Sequence, residues 1–145
     1  MAAALFICFI GVAGDLRSLG MTNANTWQFD GYDVEGFYHA DTGRGPIGIH
    51  GAYVTSASLK DPTNATHHAP EGFGNLEVMA VVPGELERWG VAKGDVETWT
   101  YKHEEAYRQR KTAVEDELIG RLERLFPGTR ERIVLEGEIP SPLSP

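Results

Sequence analysis

Residues 107–128 read YRQRKTAVEDELIGRLERLFPG. Tyr107, Lys111, Val114, Leu118, Leu122 and Leu125 recur at i+3 or i+4 spacing, which puts them on one stripe of an α-helix. The pattern predicts a helix over residues 100–126, and Pro127-Gly128 supplies its stop signal. Glu104 with Arg108, and Glu117 with Arg121, stand four residues apart, a spacing that predicts ion pairs on the exposed side worth about 0.2–0.5 kcal/mol each. Pairs of that size do not hold a helix in water, so its apolar stripe must lie on something. The helix therefore predicts a sheet to cover.

The strands of that sheet are legible to different degrees. Leu5-Phe6-Ile7-Cys8-Phe9-Ile10 is continuously apolar rather than alternating, the pattern of an interior strand covered on both faces. A chain that begins on such a strand predicts further residues ahead of it in the intact protein. Glycines, Asp15 and asparagines between 11 and 25 predict loop and turn, and Thr26-Trp27-Gln28-Phe29 alternates as a short strand does. Residues 32–39 predict one or two helical turns, 41–46 a turn cluster, and 47–58 a strand weakened by Gly48 and Gly51. Residues 60–74 predict an irregular loop, 75–82 a strand lying beside 47–58, and 132–136 a last strand. The fold class that follows is α+β: a mixed, largely antiparallel sheet covered by a long C-terminal amphipathic helix, with one or two short helices. At 145 residues this is one domain, large enough to bury a core without disulfide or metal.

Composition removes several functions. Thirteen lysines and arginines stand against 21 aspartates and glutamates, a formal net charge of −8 that repels a phosphate backbone and predicts no nucleic-acid partner. Cys8 is the one cysteine and sits in an apolar run, which predicts an inert buried thiol and fits a reducing, cytoplasmic setting. The apolar opening resembles a signal-peptide core, but no lysine or arginine precedes Arg17 and the run is too short to span a bilayer as a helix.

Candidate chemistry is sparse. Gly43-Arg44-Gly45-Pro46-Ile47-Gly48 matches G-x-G-x-x-G in letters, yet it lacks the strand before and the helix after that a dinucleotide cradle requires. His67-His68, with His39, His50 and His103, lacks zinc-ligand spacing. No serine sits in a G-x-S-x-G elbow. Asn64-Ala65-Thr66 is a glycosylation sequon, meaningful only in a secreted protein. Trp27, Trp89 and Trp99 predict extensive apolar surface, either core or a lipophilic pocket.

Several segments, taken in order, resemble the middle-to-late part of the phytoene desaturase-like and carotenoid isomerase-like flavoprotein oxidoreductases of the amine-oxidase superfamily. They are Phe9-Ile10-Gly11-Val12-Ala13-Gly14-Asp15-Leu16-Arg17, Asn25-Thr26-Trp27, Ser56-Ala57-Ser58-Leu59-Lys60-Asp61-Pro62-Thr63 and His68-Ala69-Pro70-Glu71-Gly72. Leu76-Glu77-Val78, Val81-Val82-Pro83, the helix ending Arg124-Leu125-Phe126-Pro127-Gly128, and Ile139-Pro140-Ser141-Pro142-Leu143 follow. The resemblance covers nearly the whole chain. It implies a substrate-domain portion that encloses a long apolar, polyene-like substrate. It also implies that FAD is held mainly by segments outside the matched portion, so this chain alone holds no complete flavin site and is inert without its FAD-binding segments. The flavin carries the chemistry in that family, so no catalytic residue is assigned. The resemblance marks Asp15, Asn25, Trp27, Ser58, Asp61, Pro62, His68 and Pro70 as substrate or interface candidates, each against a local reading as turn or core. It also implies lipophilic substrate access, with peripheral membrane contact. The alternatives are a stand-alone lipophilic-ligand binding module and a nonfunctional fragment.

Overall fold

The computed structural model describes residues 3–33, 35 and 47–138. Of the helical turns expected at 32–39 only Tyr32, Asp33 and Glu35 are described, Glu35 as helix; the turn expected at 41–46 and residues 139–145 lie outside the described residues. Five strands form one sheet: β1 (Ala3–Ala13), β2 (Thr26–Phe29), β3 (Gly51–Thr55), β4 (Phe73–Pro83) and β5 (Ile133–Glu138). Their order is β2-β3-β4-β1-β5 and every pairing is antiparallel. Besides the helical residue Glu35, the helices among the described residues are α1 (Ala57–Lys60), α2 (Ala65–His68), α3 (Lys93–Thr98) and the long α4 (Glu105–Leu125). The fold is α+β, and β3 and β4 do lie side by side.

Strand alternation decides what is buried. Phe6, Cys8, Ile10 and Val12 of β1 point to the same face as Leu76, Val78, Ala80 and Val82 of β4 and Ala52 and Val54 of β3, and all are buried. Val114, Leu118, Ile119 and Leu122 of α4 complete this core. A Cβ on Gly74 would stand 2.5 Å from Cγ of the buried Leu16, so any larger residue there would have to displace that side chain from the core.

Several expectations need correction. The 47–58 strand shortens to Gly51–Thr55, because Ser56 caps α1 by accepting a hydrogen bond from the Leu59 N–H at 3.3 Å. The loop expected over 60–74 is instead a chain of helical turns, α1, a 3-10 turn at Pro62–Asn64, and α2. Short side-chain bonds and Pro62 at a first helical position stabilise turns that no periodicity announces.

The helix expected from residue 100 is broken at Glu104, where the backbone is extended between a 3-10 turn, Thr100–His103, and α4. Six residues along one helix would rotate Tyr101 about 120° away from Tyr107. The break lets both face the core, with rings edge to face at 5.1 Å. Arg108 therefore pairs with Glu105 at 2.8 Å rather than with the Glu104 carboxylate.

Beyond α4, the Glu123 carboxylate accepts from Gly128 N–H at 2.8 Å and Arg130 N–H at 2.9 Å. The N–H of Arg130 first, and that of Gly128 next, hold this carboxyl below the usual carboxylate range. A depressed folded-state pKa contributes stability that is complete above the unfolded value, about 4.3, and is lost as pH falls through the folded value. Glu123→Gln should therefore be less stable than wild type at about pH 7, with the gap closing at about pH 3. Urea midpoints at both pH values check this, and a gap of equal size at both would contradict it.

Candidate functional site

The second face of the sheet has no covering layer among the described residues. Leu5, Ile7 and Phe9 of β1, Met79 and Val81 of β4, Tyr53 of β3, and Trp27 and Phe29 of β2 all point to it. Leu5 is 55% exposed, Phe29 53% and Trp27 61%. Among the described residues the even-numbered face of β1 is buried, whereas on the odd-numbered face Leu5 is exposed and Ile7 and Phe9 are half-buried. Scattered exposed apolar residues are ordinary, but a contiguous sheet face of them marks a ligand or partner surface.

Registered pairs show how continuous the face is. Trp27 stands opposite Tyr53, Tyr53 opposite Met79, and Met79 opposite Ile7, forming one apolar row across four strands. Trp27 meets Tyr53 edge to face at 4.7 Å and stacks with Phe29 at 6.0 Å. These rings, with Leu5, Met79 and Val81, line a hollow of about 430 Å³, within the size range of small-molecule sites. A second hollow of similar volume opens on the far side of the face, between Phe9, Phe73 and Val134 and the end of α2 at His68, Ala69 and Pro70.

The sequence candidates divide between these places. Asn25 and Trp27 line the first hollow, and His68 and Pro70 line the second. Ser58 joins the loop to the sheet: its N–H donates to Asn75 Oδ1 at 2.8 Å, and Asn75 N–H donates back to Ser58 Oγ at 3.3 Å. Asp61 accepts from Thr63 Oγ1 at 2.9 Å and Asn64 Nδ2 at 3.0 Å, with His68 Nε2 at 3.6 Å. Hydrogen bonds from Asn64 and then Thr63 hold its carboxyl below the ordinary aspartate value. Asp61 and Pro62 thus build the turn that presents His68. Asp15 is apart from both hollows; its side chain caps the 3-10 turn Leu16–Leu19 through Arg17 N–H at 2.9 Å.

The three tryptophans separate. Trp89 is wholly buried, stacks on Phe6 at 6.0 Å, and donates its indole N–H to Pro83 O at 2.7 Å. Trp99 lies at the surface under Lys102 Nζ, and only Trp27 belongs to the open face. His50, His67, His68 and His103 do not join a metal-ligating cluster among the described residues.

Sequence reading passed over Glu77. Its carboxylate lies on the open face, opposite Phe9 on one side and Thr55 on the other, between Asn75 of one hollow and Met79 of the other. Thr55 in turn donates to Asn25 Oδ1 at 3.1 Å, so Asn25, Thr55 and Glu77 form a polar row between two apolar hollows. Among the described residues the Glu77 carboxylate has no hydrogen bond or ion pair.

A flavin pyrophosphate is held by a strand, glycine turn and helix cradle, and of the glycine-rich segment Gly43 to Gly48 only Ile47 and Gly48 are described. The glycine turn after β1 leads into a four-residue 3-10 turn. No helix among the described residues is long and apolar enough to cross a membrane. No protein-family model and no curated protein matches the sequence.

Proposed function

We propose that this chain is the substrate-domain portion of a FAD-dependent oxidoreductase acting on a long apolar, polyene-like substrate, and that the open sheet face is the wall of the substrate site. The observation that carries this reading is the apolar face of β1–β4 that no layer covers among the described residues, set back to back with a packed core. A sheet built only for stability would show water an alternation of polar residues there. The flavin supplies the redox chemistry, and the segments that hold it belong outside these residues. What this chain contributes is an apolar, water-excluding surface that orients the substrate. A membrane-peripheral location follows from such a substrate, which partitions into bilayers.

A second reading, a binding module without redox chemistry, draws on the apolar lining of the first hollow, in which Trp27, Phe29 and Tyr53 stand beside Leu5, Met79 and Val81. One experiment addresses both. The chain is incubated with β-carotene in detergent and with FAD, separated by size exclusion, and its absorbance recorded. Polyene co-eluting without FAD is the expected result, and activity restored by adding the flavin-binding segments of a related enzyme selects the oxidoreductase. Stoichiometric FAD on the isolated chain, or no polyene uptake, overturns the proposal.

A further inference from the structure

We propose that the ligand of the open face is an amphiphile carrying a hydrogen-bond-donating head, an alcohol or an amine, that seats on Glu77 while its apolar tail fills the hollow of Trp27 and Tyr53. This rests on the reading of the face as a ligand wall and names the class of ligand. The argument is one of charge. Covering an unpaired carboxylate with hydrocarbon removes its water and returns nothing, a cost that outweighs much of the gain from apolar contact. The Glu77 carboxylate has no partner within the described residues to offset that cost, and its cross-strand neighbours are Phe9 and the Thr55 whose hydroxyl already donates to Asn25. A ligand that extends from the hollow onto Glu77 must therefore bring the donor. A carboxylate head is disfavoured twice, by Glu77 itself and by a chain of net charge −8. Met79 separates Glu77 from the hollow by one position on the same face, so a head on Glu77 and a tail over Met79, Tyr53 and Trp27 belong to one molecule.

The test uses dodecanol, dodecylamine, dodecanoate and dodecane as probes below their micellar concentrations, read by the emission of Trp27. Wild type should bind the alcohol and the amine at least about tenfold more tightly than the carboxylate and the hydrocarbon. Tighter, salt-sensitive binding of the amine would identify ionic pairing, and equal binding of alcohol and amine would identify neutral hydrogen bonding; both support the assignment. In Glu77→Leu, which keeps a side chain suited to a strand, the order should reverse in favour of dodecane, with Glu77→Gln intermediate. Equal affinity of wild type for dodecane and dodecanol, or an unchanged order in Glu77→Leu, overturns it. Uptake of β-carotene without any donor preference would defeat this inference alone, whereas failure of every probe and of β-carotene would defeat the ligand wall itself.

Discussion

Asp30→Ala is expected to cost about 3 kcal/mol or more of folding stability, among the largest effects of any single polar substitution in this chain. Arg121 projects from α4 into the interior with a side chain only 3% exposed. There it donates to both oxygens of Asp30, with Nη2 at 2.8 Å from Oδ2, and also to Glu117 Oε1 at 2.9 Å, Gln28 Oε1 at 2.6 Å and Ile49 O at 3.1 Å. Burial alone pulls the guanidinium pKa down, but the hydrogen bonds and charge of Asp30, with those of Glu117, outweigh it and raise the pKa. The group therefore stays charged, and removing Asp30 leaves a buried cation short of a counter-charge. The double variant Asp30→Ala with Arg121→Met should recover most of the loss, because an apolar side chain suits the site once the charge is gone. Urea unfolding of the three proteins measures this, and a loss below about 1 kcal/mol in Asp30→Ala would contradict it.

This network also shows where sequence reading stops. Glu117 and Arg121 read as a surface pair because their spacing is all that a linear pattern contains. Their position beside Gln28 and Asp30 comes from β2 arriving at the sheet edge about ninety residues earlier, which no local pattern encodes. Long, strongly periodic elements were legible: α4 with its Pro127-Gly128 end, the interior strand β1, and the pairing of β3 with β4. Short elements held by single capping bonds, such as α1 under Ser56, were not. The candidate site was half legible. Trp27, Asn25, His68 and Pro70 were singled out and stand at the hollows, but Glu77 sat inside an ordinary strand pattern, Leu-Glu-Val-Met, that predicts an outward carboxylate. Only the register shows that its surroundings are Phe9, Thr55 and Met79. In the same way the run Leu5 to Ile10 showed two apolar faces, whereas what covers each face is a property of the fold.

The second large effect is expected on binding. Val81→Glu places a carboxylate in the first hollow, opposite Leu5. An apolar ligand seated there must then desolvate an unpaired charge, which should weaken polyene binding by about 3 kcal/mol, roughly a hundredfold in Kd. Val81 is only partly buried, so the melting temperature should move little. Equilibrium titration with β-carotene, together with a thermal melt, separates the two effects. Unchanged affinity would move the ligand off this face, and a large fall in melting temperature would show that Val81 belongs to the core.

The central claim is that the bare face of β1–β4 receives an elongated apolar ligand, and Trp27 lies on that face as its own reporter. The direct measurement is the difference in tryptophan emission between the wild-type chain and Trp27→Phe during titration with a polyene whose absorption overlaps indole emission. The account predicts saturable quenching of the Trp27 component at one polyene per chain. Trp27 emission that stays constant while polyene binds, or that falls only in proportion to free polyene without saturation, would contradict it.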